Sequence, residues 1–261
     1  MAKKCPIGIF DSGVGGLSIA HGIRSELPSE DILYVADLGY SPYGSKAKEI
    51  IEDRSEYMVD YLCKQGCKVV VVACNTATVN SIAMLREKFD IPIVGVEPGI
   101  KPAAMQSSTG VIAVLATEQT IKSVSFQELK NRFSELVKIE TRACPGLVEL
   151  VESGNIHSKK SISVVSDYVV PLLSKGADRI VLGCTHFSFL APVMEPILKD
   201  KARLVDTAKP VALEVKNQLT NHDLLRPCGV GEIQFCSTEM SANTSRKIGH
   251  LWGDKVDVLG I

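Results

Sequence analysis

Two cysteines stand at the same step of two matched segments. In KVVVVACNTA (residues 68–77) and DRIVLGCTHF (178–187), charged residues lead into an apolar run, a small residue, a cysteine and then polar residues. Cys74 and Cys184 are thereby equivalent, 110 positions apart. A free cysteine is often only a small buried hydrophobe. Its repetition, ahead of Asn75 and Thr76 in one segment and of Thr185 and His186 in the other, points instead to chemistry on a small polar ligand. A thiol just before a helix meets the helix's first N–H groups and positive dipole end, which favour the thiolate. The expectation is a pair of thiols whose protons move near neutral pH. Reversible inversion of a C–H centre needs such a pair: one group removes the proton and the other returns one to the opposite face.

Other residues converge on the same strand ends. The first predicted strand runs into FDSGVGG (10–16), where glycines let backbone approach a ligand and where Asp11 and Ser12 point to the region of Cys74. A dinucleotide fingerprint with Asp37 as ribose acceptor would need a third glycine that the G-x-G-G spacing lacks. In GYSPYGSK (39–46), Gly39 and Gly44 imitate a phosphate loop, but G-S-K replaces the required G-K-S. Pro42, Tyr43 and Gly44 read better as a fixed turn offering a backbone N–H and a phenol to a cleft. His186 can assist a neighbouring thiol or pair with a carboxylate. Glu149 and Glu152, three apart in CPGLVELVESG, share one face of a short helix, as a solvated acidic face also would. Cys63 and Cys67 are i, i+4 neighbours without a nearby third ligand, so burial is expected and no metal site. Cys5, Cys144, Cys228 and Cys236 receive no role.

The elements that must position these residues alternate regularly. Nearly unbroken β-branched runs at 7–10, 32–36, 69–73, 93–96, 111–116, 137–141, 179–182 and 203–205 suit parallel strands covered on both faces. Helical spacing fills 17–27, 48–65, 79–89, 119–132 and 161–175. This is an α/β chain. A weaker echo pairs IGIFDSG (7–13) with VIAVLAT (111–117), so two similar parallel-sheet α/β domains related by pseudo-twofold symmetry are expected. Ligands of open parallel sheets bind beyond the carboxyl ends of the strands, which puts the active site in the cleft between the halves. The glycine- and proline-rich stretch 95–110 and a second crossing near 207–210 give the expected division: 1–98 plus 208–261 as the first domain and 99–207 as the second.

Composition narrows the partners. With 29 basic and 30 acidic residues in 261, the formal charge of −1 creates no field to gather nucleic acid or a membrane surface. No stretch approaches the roughly 20 apolar residues of a membrane span, and the N-terminus does not read as a secretory signal. A cytoplasmic protein with reduced cysteines is expected. Its partner is a small molecule; a homodimer is allowed by the sequence without being specified by it. A two-lobed binding protein for small acids would not need matched cysteines, and a nucleotide enzyme would need a better glycine fingerprint.

Taken together, FDSGVGG (10–16), PYG (42–44), ACNTA (73–77), IPIVGVEP (91–98) and GCTHF (183–187) resemble the ordered motif set of bacterial glutamate racemases, over about residues 7–206. The resemblance implies a cofactor-independent isomerase that interconverts L- and D-glutamate and supplies the D-isomer for peptidoglycan. By the same resemblance Cys74 exchanges the α-proton with D-glutamate and Cys184 with L-glutamate. Asp11 would assist Cys74, and His186 would assist Cys184, with Glu152 a further acidic residue of the family's catalytic set. Substrate would be held by Asp11, Ser12, Tyr43, Gly44, Asn75, Thr76, Thr185 and His186. His186 fits the glutamate enzymes, because aspartate racemases usually carry glutamate at that position. The chain departs from the family pattern at Ser188 and, near Glu152, at Gly146 and Glu149.

Overall fold

The computed structural model describes residues 2–261; Met1, where the first expected domain begins, lies outside them. Among the described residues ten strands form two separate parallel sheets. In chain order they are β1 (Ile7–Asp11), β2 (Ile32–Ala36), β3 (Val69–Val72), β4 (Ile93–Gly95), β5 (Val111–Ala116), β6 (Lys138–Ala143), β7 (Arg179–Gly183), β8 (Arg203–Val205), β9 (Ile233–Ser237) and β10 (Val258–Gly260). The six-stranded sheet is ordered β10-β9-β2-β1-β3-β4 and the four-stranded sheet β6-β5-β7-β8. Leaving out β9 and β10, the two orders are the same when β5 is matched to β1, β6 to β2, β7 to β3 and β8 to β4. The echo between the segments around Cys74 and Cys184 therefore reports equivalent strands, β3 and β7.

The unbroken apolar runs follow from this layering. Successive strand side chains point to opposite faces, and here both faces are covered. Val69 and Val71 of β3 enter one core with Leu17, Ile23, Val211 and Leu219, whereas Val70 and Val72 enter another with Ile51, Met58, Leu62 and Leu85. The second sheet repeats the arrangement. Leu115 and Leu182 pack on Leu147, Val165 and Phe187, and Val114 and Val181 pack on Ile100, Phe126 and Leu129. Each fully buried valine or leucine is worth about 1.5–3 kcal/mol relative to an exposed one, so an apolar residue is favoured at nearly every strand position.

The C-terminal segment returns to the first sheet. The Ala208–Asn221 helix packs on the Leu17–Glu26 helix, and β9 pairs with β2 in the register Tyr34↔Phe235. The Thr244–Trp252 helix follows, with Ile248 in the first core and Trp252 stacked on His21 at 4.1 Å between ring centroids. Among the described residues no helix is long and apolar enough to cross a membrane.

Candidate active site

β1, β3 and β7 end at the line where the halves meet. Cys74 follows the end of β3 with Ala73 between, in an extended conformation, and is the N-cap of the Asn75–Lys88 helix. The helix thus begins four residues earlier than its apolar spacing suggests, because Asn75, Thr76 and Thr78 are polar yet buried. The Cys74 sulfur lies 3.5 Å from the Ala77 N–H and 3.4 Å from Ser12 Oγ. Cys184 immediately follows β7, also extended, but a six-residue 3₁₀ segment, Thr185–Leu190, comes after it before the Ala191–Leu198 helix starts. Its partner is the His186 imidazole, with Nδ1 at 3.9 Å from Sγ. The two sulfurs are nearly enclosed, at 6% and 7% exposure, and both are free thiols.

The expectation that the helix terminus would favour a Cys74 thiolate does not hold for this structure. Burial, reinforced by the Asp11 carboxyl, pushes the thiol up to about 12, outweighing the hydrogen bonds from Ser12 and Ala77. A 3.5 Å contact to one N–H is too weak to offset removal of the sulfur from water. Asp11 is itself fully buried and raised for the same reason, although His186 and the N–H groups of Gly16 and Gly13 pull the other way.

The polar side chains of the two halves interlock. Thr185 Oγ1 donates to Asp11 Oδ1 at 3.4 Å, while Gly13 N–H donates to Asp11 Oδ2 at 3.0 Å. His186 Nε2 meets Glu152 Oε1 at 3.0 Å, and Val14 N–H approaches the same oxygen at 3.4 Å. Glu152 thus reaches the Cys184 side despite the altered residues before it, because it ends the Leu147–Glu152 helix that packs on the 3₁₀ segment. Burial alone would lower the His186 pKa, but hydrogen bonds to Cys184 and Glu152 and the charge of Asp11 raise it well above the ordinary value. Glu152 is held low: burial opposes its ionisation, but the bond and charge of His186, with Lys247 behind, prevail. Glu149 makes no such contact and lines the neighbouring cavity instead.

Tyr43 is placed differently from its expected use. Its ring is wholly buried and its hydroxyl donates to Asp37 Oδ2 at 2.5 Å, so the phenol's proton is already committed and the Tyr43–Gly44 backbone is what it leaves for a ligand. Asp37 also accepts two hydrogen bonds from Arg54 and one from Thr238, which leaves it no capacity for a ribose. Gly44 sits so close to the second half that a Cβ there would lie 2.9 Å from Thr117. Gly15 is tighter still, since a Cβ would lie 2.3 Å from His186 Nδ1 and 2.7 Å from Thr185 Oγ1. Gly13 and Gly15 are needed for this close approach of loop to imidazole, and Gly16 for the packing of the loop on Asp11 and Ala73.

Asn75 donates through Nδ2 to Val96 O at 3.0 Å, and its buried Oδ1 is without a hydrogen-bond partner. Thr76 Oγ1 joins Thr117 Oγ1 at 3.0 Å and Thr120 Oγ1 at 3.1 Å, and those two are 2.9 Å apart. Thr117 and Thr120 were not among the residues singled out in the sequence. A signal for Thr117 existed, since VIAVLAT brings it to the strand end equivalent to that of β1. A cavity of about 600 Å³ has Val14, Pro42, Val148, Glu152 and Lys247 in its wall and meets the site through Glu152; neither Cys74 nor Cys184 lines it. Among the described residues no cluster of three or more His, Cys, Asp or Glu side chains is arranged to hold a metal ion.

The wider relationships of the chain agree with this arrangement. A family model described as Asp/Glu/Hydantoin racemase matches residues 17–214. The glutamate racemase of Ectopseudomonas mendocina is 46% identical over 224 residues, 85% of each chain. That of Herpetosiphon aurantiacus is 48% identical over 225 residues, covering 86% of this chain and 89% of the relative. Among solved structures, a glutamate racemase isoform from Bacillus anthracis superposes with a TM-score of 0.91 at 29% identity, covering 99% of this chain and 98% of that one. The Escherichia coli glutamate racemase in complex with L-glutamate and the activator UDP-MurNAc-ala gives 0.86 at 33% identity, covering 98% and 97%. The aspartate racemase of Picrophilus torridus shares the fold alone, with a TM-score of 0.53 at 14% identity over 82% of this chain and 94% of that one. The chain belongs to the Asp/Glu/Hydantoin racemase family and, within it, to the glutamate racemases.

Proposed function

We propose that this chain interconverts L- and D-glutamate without a cofactor, using Cys74 and Cys184 as an acid–base pair on opposite faces of the α-carbon. The observation that carries the reading is the placement of two enclosed thiols at equivalent strand ends, each with its own proton-handling neighbours. In the L-to-D direction the Cys184 thiolate takes the α-proton. The electron pair left on carbon then takes a proton from the Cys74 thiol on the other face. The enzyme is left with Cys184 protonated and Cys74 ionised, the state that starts the reverse reaction, and proton exchange with water resets it. The upward-shifted Cys74 thiol suits the proton donor of this direction, and a protonated His186 offers a counter-charge to the sulfur of Cys184. Asp11 assists Cys74, and Glu152 orients His186.

Glutamate brings two carboxylates and an ammonium. The first N–H groups of the Asn75–Lys88 helix and the backbone of Gly44 suit a carboxylate. The Ser12, Thr76 and Thr185 hydroxyls add further donors, and the unpartnered Asn75 Oδ1 suits the ammonium. In the cytoplasm such an activity would supply D-glutamate for peptidoglycan. The test is incubation with L- or D-glutamate in deuterated water, with no cofactor added, while optical rotation and loss of the α-proton signal are followed. Both enantiomers should converge to zero rotation with deuterium at the α-carbon, and aspartate should react far more slowly. Unchanged rotation and no exchange from either isomer would overturn the proposal.

A further inference from the structure

We infer that Lys247, from the C-terminal helix beyond the reach of the family match, is a positioning residue that holds Glu152 against His186 and so sets the proton state of the Cys184 side. The inference rests on the two-thiol reading above. Lys247 Nζ lies 3.3 Å from Glu152 Oε2, while Oε1 of the same carboxylate meets His186 Nε2 and the Val14 N–H. The contacts run in series from Lys247 through Glu152 and His186 to Cys184, and the first crosses from one half of the molecule to the other.

The need for such a strut follows from where Glu152 sits. It is the last residue of a six-residue helix, followed by Ser153 and a left-handed Gly154, and its side chain borders the cavity of about 600 Å³. Without Lys247 nothing holds Oε2, and the long Val14 contact on Oε1 is a weak restraint against rotation of the carboxylate into that space and away from the imidazole. Lys247 is well mounted to prevent this, because Ile248 beside it is buried in the first core and Trp252 is pinned on His21 and Phe235. Arg246, His250 and Glu149 line the same cavity, but of the basic residues in its wall Lys247 is the one whose bond to Glu152 the structure shows. The groups facing His186 itself are Cys184, Glu152 and Asp11.

The test compares Lys247→Met and Lys247→Arg with the unaltered full chain by NMR titration of the His186 imidazole and by kcat/KM in both directions. A bystander cation and a strut predict opposite signs. Removing a bystander positive charge would make His186 easier to protonate, so its titration would move up. Removing a strut lets Glu152 leave, and His186 then titrates lower, by about half to one pH unit. Lys247 is 41% exposed, so solvent screens the contact and kcat/KM should fall only about two- to fivefold, equally in both directions. Arginine at this position should restore both readouts. An upward or absent movement of the His186 titration in Lys247→Met sinks the inference. So does an equal loss in both variants with no titration change. The titration needs no turnover, so a chain that failed to racemise glutamate but showed the downward shift would overturn the proposed function and leave the strut standing.

Discussion

Cys74 and Cys184 occupy the same step of two sheets with the same strand order, yet their neighbours differ in kind. Around Cys74 the partners are a hydroxyl, a buried carboxyl and the start of a 14-residue helix. Around Cys184 they are an imidazole, a carboxylate and a lysine arranged in series, and the helix gives way to a short 3₁₀ segment. A duplicated fold thus supplies two thiols by symmetry, and the polar surroundings of each are built separately on each side. The difference teaches that strand order fixes where each sulfur stands, while side chains from distant segments fix what surrounds it.

The sharpest way to break this comparison is to remove one sulfur at a time. Cys74→Ser and Cys184→Ser should each lower racemisation by about 10²- to 10⁴-fold, and both directions must fall together because the enantiomers are equal in energy. A single variant with near-full activity in a polarimetric assay would show that one side dominates. Next in size is Gly15→Ala, whose Cβ would press on the His186 ring and backbone nitrogen and on Thr185 Oγ1, disturbing the Cys184 side directly and Asp11 through Thr185. A displacement of this kind should cost about 10²-fold in kcat, with an unchanged far-ultraviolet circular dichroism spectrum.

The ionisation of Cys74 offers a third comparison. With the thiol pushed up to about 12, its thiolate fraction should grow about tenfold per pH unit throughout pH 7–10. Alkylation at Cys74 in the free enzyme, read by peptide mass spectrometry, should therefore climb without a plateau. A plateau near pH 8 would mean that the helix terminus outweighs burial after all. The smallest effect is expected for Ser12→Ala, which removes one neutral hydrogen bond to Cys74 Sγ. About a two- to tenfold loss in kcat/KM corresponds to such a bond, with the Cys74 alkylation profile moved further toward high pH.

The central strands were legible because burial on both faces leaves little freedom in residue choice: Val69 to Val72 could hardly be read as anything else. Strands β9 and β10 were not, since β10 is the edge strand and β9 its neighbour, and Gln234 and Leu259 are exposed there, which breaks the apolar pattern. The cysteines and their immediate neighbours were legible through repetition. Their ionisation was not, because desolvation depends on what packs around the sulfur and not on the residues that follow it. The same applies to Tyr43, whose hydroxyl is taken by Asp37, itself held by Arg54 and Thr238. Lys247 is separated from Glu152 by 95 positions, and no local pattern could join them.

The hydroxyl triangle of Thr76, Thr117 and Thr120 carries a consequence for ionic strength. Each oxygen can donate to one neighbour and accept from the other, so the ring is self-satisfied and carries no net charge. Added salt, which screens the half-exposed Lys247–Glu152 contact, has little purchase on it. The cleft is therefore fastened by two kinds of joint, one that dissolved ions loosen and one that they leave alone.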